Sequence, residues 1–351
     1  MSENNTKIKL GILRGGAGKH YESSLRKGGD LISHIFKNLS DKYKTVDILI
    51  DKKGEWHING VPINPADLVR KVDIVWNTTH PNVSSILQNF SIPHISNSIF
   101  SSTLENSREM LEEHIKSIGV QMPRSIILPL YQKDFDGTRE RYAIKKAKEI
   151  FEKFGSPWIV KSFTNNSDMG PIRGREGSQR PSASNGMGIH LAKTFGELAG
   201  AIEDGVIHEK SILIEEFISG KVASVHSVVG FRGDLPAQAG QIYTFPLGKP
   251  FGNPPRLPPR LGEAGGEAGF SSSEKEKLIS LAKDLHNHIG AKHYLKSDFV
   301  LNSRGKIFLL NIESIPDLKS DSHFSQVCES VGAKAHHVVE HILERALNKS
   351  I

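Results

Sequence analysis

Cysteine is almost missing from this chain, Cys328 being its single instance in 351 residues. That excludes an intrachain disulfide framework and fits a reducing compartment. Long apolar runs are missing too, so no segment approaches membrane length, and nothing in the opening MSENNTKIKL resembles a secretory signal. A cytoplasmic protein without a membrane partner is expected. Strong charge of one sign is also lacking. The 45 Lys and Arg exceed the 39 Asp and Glu enough to give only +6, and the basic residues are not gathered into one helix or tail. With no RNP-like or zinc-finger spacing, nucleic acid is not an expected partner. The mild basic excess suits small anionic substrates such as nucleotides. Repeats of solenoid period are absent. What is there is 37% apolar content, enough for ordinary cores, in a chain long enough for two or three domains.

Near the end, IFLLNIESIP carries an amide, Asn311, and a carboxylate, Glu313, within an apolar run that breaks at Pro316. A strand alternates its faces, so Asn311 and Glu313 share one side while Leu310 and Ile312 are expected to enter the other layer. Upstream, LKSDFVL places Lys296, Asp298 and Val300 on one face, and NSRG supplies a turn that would lay the two strands together. Such a hairpin gathers Asp298, Asn311 and Glu313, an oxygen donor set suited to Mg²⁺. The bland reading is a half-exposed hairpin whose polar face meets solvent.

Along the chain, KIKLGIL reads as a buried strand, RGGAGKHYE as a glycine-rich turn and SSLRKGGDLISHIFKNL as an amphipathic helix. TVDILI, VDIVWN and IPHIS follow as short strands, so the first hundred residues read as an open α/β layer. A helical stretch, ENSREMLEEHIKSIGV, leads to a second unit with a strand ending near Lys161, a helix opened by a Thr194 to Glu197 capping box, and a strand SILIEEFISG stopping at Gly220. SVHSVVGF, the helix SSEKEKLISLAKDLHNHIG, the hairpin and a closing helix AKAHHVVEHILERALNK complete it. Residues 162–188, rich in Ser, Gly, Asn and Arg, and residues 245–269, rich in Pro and Gly, each follow a strand expected to line a cleft, which favours lids over plain disorder.

The first glycine-rich turn matches neither a P-loop nor a dinucleotide fingerprint. Leu13 stands where the Walker glycine should be, His20 follows Lys19 in place of Ser or Thr, and the third glycine of G-x-G-x-x-G would fall on Tyr21. It remains a loop at a helix N-terminus, able to orient a small charged ligand. Glu22 there is, at its plainest, an acid that favours the helix dipole. Phosphate contacts are expected instead from Lys161, Arg108 and the loop after Lys161. A lone strand-end lysine is more often solvated, so it is the combination that points to phosphate. SILIEEFISG fits an adenine hinge, the backbone of Glu216, Phe217 and Ile218 binding the purine edge and Glu215 accepting from its amino group.

The order of a glycine-rich N-terminal loop with Glu22, WIVK, a glycine-rich loop, LIEEFISG and D-x(12)-N-x-E resembles the ATP-grasp ligases, most closely the D-alanine–D-alanine ligase type, over almost the whole chain. The resemblance implies an ATP-grasp fold of three α/β domains, here 1–104, 105–218 and 219–351, with ATP and Mg²⁺, or Mn²⁺ in its place, between the second and third. It implies a carboxylate–amine ligase that makes a dipeptide through an acylphosphate, a step used in peptidoglycan. Its partners would be amino acids and ATP, with a homodimer allowed. Glu22 would hold the first ammonium, Arg108 and Lys161 the phosphates, Glu215 to Ile218 the adenine, Lys296 the tetrahedral intermediate, and Ser322 would lie by the second amino acid. Asp298, Asn311 and Glu313 would carry the metal.

The sequence departs from the family at several points. Asn311-Ile-Glu313 inverts the family's E-x-N, and Val222 stands where a ribose-binding Glu is expected. THPNVSS around His80 replaces an acidic segment near the second substrate. Arg175 to Ser178 and Asn185 to Gly188 both align with the family's phosphate loop, and Lys249 is the candidate lysine of the Pro-rich loop. The same chemistry on another amino acid pair, or a nucleotide-binding protein that no longer ligates, are the alternatives.

Overall fold

The computed structural model describes residues 7–18, 20–163, 187, 189–208, 210–232, 241–247 and 269–348. Both candidate phosphate-loop motifs, apart from Met187, and Lys249 lie outside these residues.

The first sheet contains β1 (Ile8–Gly15), β2 (Tyr43–Ile50), β3 (Trp56–Ile58), β4 (Val61–Ile63), β5 (Ile74–Asn77) and β6 (His94–Ile95), in the order β4-β3-β2-β1-β5-β6. β1 runs parallel to β2 and β5, and β5 to β6, while β3 and β4 turn back antiparallel. A central parallel strand is covered on both faces and so needs a continuous apolar run. In β1, Leu10 and Ile12 pack with Leu31 and Ile35 of α1 (Tyr21–Asn38), and Leu13 packs on the far side with Leu87 of α2 (Val83–Asn89). The β3–β4 hairpin was not expected from the sequence. Its turn is Asn59-Gly60, with φ of 51° and 79°, the left-handed pair a two-residue hairpin requires.

The helical stretch expected over 105–120 is two helices, α3 (Ile99–Asn106) and α4 (Arg108–Lys116). Ser107 breaks it with extended dihedrals, and its hydroxyl accepts from the Met110 amide at 3.4 Å. That break makes Arg108 the first residue of a new helix.

The second sheet is antiparallel: β7 (Ser125–Leu128), β8 (Trp158–Ser162), β9 (His190–Ala192) and β10 (Ile212–Glu216), ordered β7-β10-β8-β9. The short α5 (Lys133–Asp136) precedes α6 (Arg139–Lys153), which with α7 (Phe195–Ile207) covers one face, meeting Trp158, Val160, Ile212 and Ile214. By the period of two, Ile159, Lys161, Leu213 and Glu215 take the opposite face. The Thr194 to Glu197 capping box is present. β10 ends at Glu216 rather than at Gly220. Gly220 opens the next strand instead, where a Cβ would lie 2.1 Å from the Leu301 carbonyl oxygen.

The third sheet, β12-β11-β13-β14, is formed by β11 (Gly220–Val229), β12 (Ile242–Thr244), β13 (Tyr294–Asn302) and β14 (Ile307–Glu313). Its core face meets Leu278, Ala282 and Leu285 of α8 (Ser272–Ile289). Leu111 and Ile115 of α4 join this core, although the sequence grouped residues 105–116 with the central unit. Beyond the hairpin come α9 (His323–Ser330) and α10 (Ala335–Asn348). Val338 and Ile342 of α10 share one cluster with Ile12 of the first sheet and Val228 and Tyr294 of the third. No helix among the described residues is long and apolar enough to cross a membrane.

Candidate active site

The expected hairpin is present, with Lys296 opposite Glu313 and Asp298 opposite Asn311. Its register shifts beside Asp298, so that Phe299 pairs with Leu309 and Leu310 is the extra residue of a β-bulge. The bulge changes the phase of alternation. Leu309 and Ile312 both enter the core, and Leu310, expected there with Ile312, instead lines a slot between the second and third sheets. Asn311 and Glu313 keep the polar side, where Asn311 Nδ2 donates to Glu313 Oε1 at 3.2 Å. Asp298 is buried, and its Oδ1 accepts from Ser224 Oγ at 2.6 Å. The Lys296 ammonium lies 3.3 Å from Asp298 Oδ2 and 3.7 Å from Glu313 Oε1. One cation thus already serves both acids. Two carboxylates and an amide oxygen fit a hard divalent ion, which prefers oxygen donors.

Across the slot, Glu215 gathers the two candidate phosphate-binding cations. Its carboxylate is ion-paired with the Lys161 ammonium, and Arg108 Nη1 lies 2.7 Å from its other oxygen. All three are buried. The Arg108 guanidinium is held from three further sides, by Ser125 Oγ at 2.9 Å, the Pro123 carbonyl at 3.2 Å and the Leu310 carbonyl at 3.3 Å. The bulge therefore connects the cation cluster to the carboxylate hairpin. Lys161, Glu215, Glu216, Phe217 and Ile218 share the slot, of about 370 Å³, with Val300 and Leu310. Val222 joins Ile159, Ile189, Leu191 and Phe217 in a small apolar cluster, so an aliphatic wall stands where the family has a ribose-binding acid.

Not all of the expected hinge is available to a ligand. The Glu216 amide donates to the Arg124 carbonyl at 2.8 Å and the Phe217 amide to the Pro157 carbonyl at 3.0 Å, which completes the pairing of β10 with its neighbours. The Glu216 carboxylate is held by Arg124 at 2.8 and 3.0 Å, a pairing that lowers its pKa.

A second, larger cleft of about 970 Å³ lies where α1, the loop after β5, α3 and the third sheet meet. Glu22 is not among its lining residues. Its side chain is 74% exposed, with Lys52 Nζ 3.6 Å away, because the turn of α1 that faces the cleft presents His20, Ser23 and Lys27 instead. Ser322 is not brought to the cleft either. It is the N-cap of α9, donating to the Asp317 carbonyl at 2.8 Å and accepting from the Ser325 amide at 3.2 Å. Nor is the glycine-rich turn open to a ligand at its first amides, since Gly15 N–H donates to Ser24 Oγ and Gly16 N–H to the Ile50 carbonyl.

Several polar residues at this cleft carried no signal in the sequence. Glu105 lines it and accepts from the Ser314 hydroxyl and, at 3.4 Å, from the Ser314 amide. Burial raises the Glu105 pKa, while Lys27 opposes the shift. Tyr294, also at the cleft, has its hydroxyl 2.7 Å from His226 Nδ1, and His226 Nε2 lies 2.7 Å from His323 Nδ1. Burial drives the Tyr294 pKa up and the His226 pKa well down, so a protonated phenol meets a neutral imidazole. A spacing rule could not have found these groups, because they come from separate strands and helices. Elsewhere, Asp51, Glu55 and His57 cluster within 4.8 Å. Asp51 there accepts the Lys53 and Glu55 amides, as a turn residue does.

Residues 261–344 match the family model for the D-ala D-ala ligase C-terminus. The D-alanine–D-alanine ligase of Christiangramia forsetii is 23% identical over 98% of this chain and 99% of its own length. Among solved structures, the D-alanine–D-alanine ligase of Bacillus anthracis complexed with ATP aligns over 98% of each chain with a TM-score of 0.60 and 15% identity. The VanG D-Ala:D-Ser ligase of Enterococcus faecalis aligns over 97% of this chain and 100% of its own, with a TM-score of 0.61 and 15% identity. The chain thus has the fold of the D-alanine–D-alanine ligases, the ATP-grasp fold.

Proposed function

We propose that this ATP-grasp protein is an ATP-dependent carboxylate–amine ligase of the D-alanine–D-alanine type. The observation that carries the reading is the slot in which Lys161 and Glu215 of the second sheet, paired with Arg108 of α4, meet Val300 and Leu310 of the hairpin whose strands also carry Asp298, Asn311 and Glu313. Lys161 and Arg108, gathered at one carboxylate, are N–H donors of the kind that suit the oxygens of a triphosphate. The aliphatic wall of Ile159, Val222 and Phe217 suits a purine face, with the Ile218 amide as the donor at its edge. Asp298, Glu313 and the Asn311 oxygen would hold Mg²⁺, or Mn²⁺ in its place. The chemistry such an ion would supply there is neutralisation of phosphate charge.

In this reading the carboxylate of one amino acid takes the γ-phosphoryl group of ATP, releasing ADP. The amine of a second then attacks the acylphosphate and expels phosphate. Lys296, which lies between the two acids of the hairpin, would stabilise the oxyanion of that second step. The same chemistry on another amino acid pair is the second reading. It is favoured by the cleft, where Glu22 faces away and His20 and Lys27 face in. Phosphate release from MgATP across a panel of D- and L-amino acids decides between them. Release that depends on D-alanine is the expected result, and stimulation by a different pair moves the assignment to the second reading. Release by no amino acid would refute both.

A further inference from the structure

The cleft raises a question of charge: which group receives the ammonium of the amino acid to be activated? Glu22 cannot do so from where it lies, outside the cleft and beside Lys52. Among the described residues lining the cleft, Glu105 contributes the one carboxylate and Lys27 the one ammonium. We propose that Glu105 receives the α-ammonium of the amino acid whose carboxylate is phosphorylated, and so sets the requirement for an amine at that position. The inference rests on the ligase reading above and adds to it a residue that makes the substrate contact.

Glu105 suits the role by position and by support. It lies in the last turn of α3, one residue before the end of that helix, and Ser101 on the same helix is anchored to the Ile289 carbonyl at 2.8 Å. Ser314 donates both its hydroxyl and its amide to the carboxylate. Ser314 directly follows Glu313, so Glu105 is tied to the hairpin on which the phosphoryl-transfer residues are arranged. An α-amino acid separates its nitrogen from its carboxyl carbon by only two bonds. An ammonium at Glu105 therefore keeps the substrate carboxylate close to this acid, at the end of the cleft where Ser314 follows the hairpin.

Lys27 supplies the counterpart. It is close enough to favour the ionised form of Glu105, yet among the described residues it makes no ion pair within 4 Å. The two charges thus line the same space without closing on each other. A zwitterion brings its own ammonium to the acid, and a charge-assisted hydrogen bond in a partly dry cleft is among the stronger single contacts.

The test compares Glu105→Gln with Glu22→Gln in the full chain, with amino-acid-dependent phosphate release as one readout and the thermal shift given by MgADP as the other. Gln can still accept from Ser314, so Glu105→Gln should fold and respond to MgADP as the parent does. Its KM for the activated amino acid should rise about tenfold to a hundredfold, the loss of one charged contact, with the KM for ATP little changed. Glu105→Asp, which keeps the charge on a shorter arm, should fall between parent and Gln. Discrimination between D-alanine and its hydroxy analogue D-lactate as the activated acid should shrink in Glu105→Gln. If Glu22→Gln raises that KM and Glu105→Gln does not, the assignment is overturned while the ligase reading stands. If Glu105→Gln loses the MgADP shift, Glu105→Asp decides: parent-like KM and discrimination in that variant overturn the assignment. A parent that releases no phosphate with any amino acid overturns both.

Discussion

At the scale of single residues, the chemistry depends on where charges find partners. Lys161 at the end of an apolar strand could have been a solvated lysine, but its burial beside Glu215 and Arg108 makes it part of a cluster. The inverted order of Asn311 and Glu313 is the sharper case. Glu313 is the carboxylate that Asn311 donates to and that Lys296 approaches, so the negative charge of β14 is carried two residues later than in the family pattern. Glu313→Gln should leave the hairpin intact, because the amide oxygen can still accept from Asn311. It should nevertheless abolish Mg²⁺-dependent phosphate release, since it removes one of two anionic donors for a hard cation. Assays at several Mg²⁺ concentrations, alongside the MgADP thermal shift as a check on folding, measure this. Full activity of the variant at low Mg²⁺ would remove Glu313 from the metal site. Glu22 shows the limit of reading by motif. One residue's turn around α1 separates a cleft-facing side chain from an exposed one, and spacing along a loop does not set that rotation.

At the scale of elements, strands and helices with strong local signals were legible: β1, the Thr194 to Glu197 capping box and the β13–β14 hairpin all follow from pattern. What the sequence reading missed was decided by particular backbone conformations. The β3–β4 hairpin was available from Asn59-Gly60 but lies in runs of only three residues. The break at Ser107 needs tertiary contacts to hold α3 and α4 apart. The bulge at Leu310 answers to packing, since Leu309 and Ile312 can both be buried only if the alternation skips a residue. The join between α8 and β11 carries a prediction of its own. His286 is buried, its Nδ1 2.8 Å from Ser227 Oγ, and burial lowers its pKa to about 4. Unfolded histidine takes up its proton near 6.5, so this contribution is flat above neutrality. As pH falls from about 6.5 towards 4 the unfolded state gains a proton that the folded state refuses, and stability drops by about 3 kcal/mol. Tm measured from pH 7.5 to 4.5 should fall less steeply in His286→Asn than in the parent, from a lower starting value. Parallel curves would show that His286 does not titrate in this way.

At the scale of the whole molecule, the open α/β layer of the first hundred residues was legible in its short apolar strands, and the ATP-grasp architecture in the order of the motifs. The joining of the units was not, because α4 and α10 cross between them. These crossings are uneven. α10 ties the first sheet to the third through a large shared core, whereas the apolar cluster containing Val222 of the third sheet and Ile159 of the second has, among the described residues, only two buried members, Ile159 and Ile189. Arg108, reaching from α4 to the Leu310 carbonyl and to Glu215, is a polar link across that gap. A nucleotide seated there would touch both sheets and bind the native state alone. Its effect on stability then follows mass action, about 2.7 kcal/mol at a hundred times Kd. MgATP and MgADP should therefore raise Tm in a concentration-dependent way, NADH should not, and hydrogen exchange should slow most in β8 and β10 of the second sheet. Among the described residues that sheet shares only a small apolar cluster with the third, so it has protection to gain. Stabilisation by NADH with none by MgATP or MgADP would contradict the nucleotide assignment, and protection confined to the first sheet would move the ligand to the other cleft.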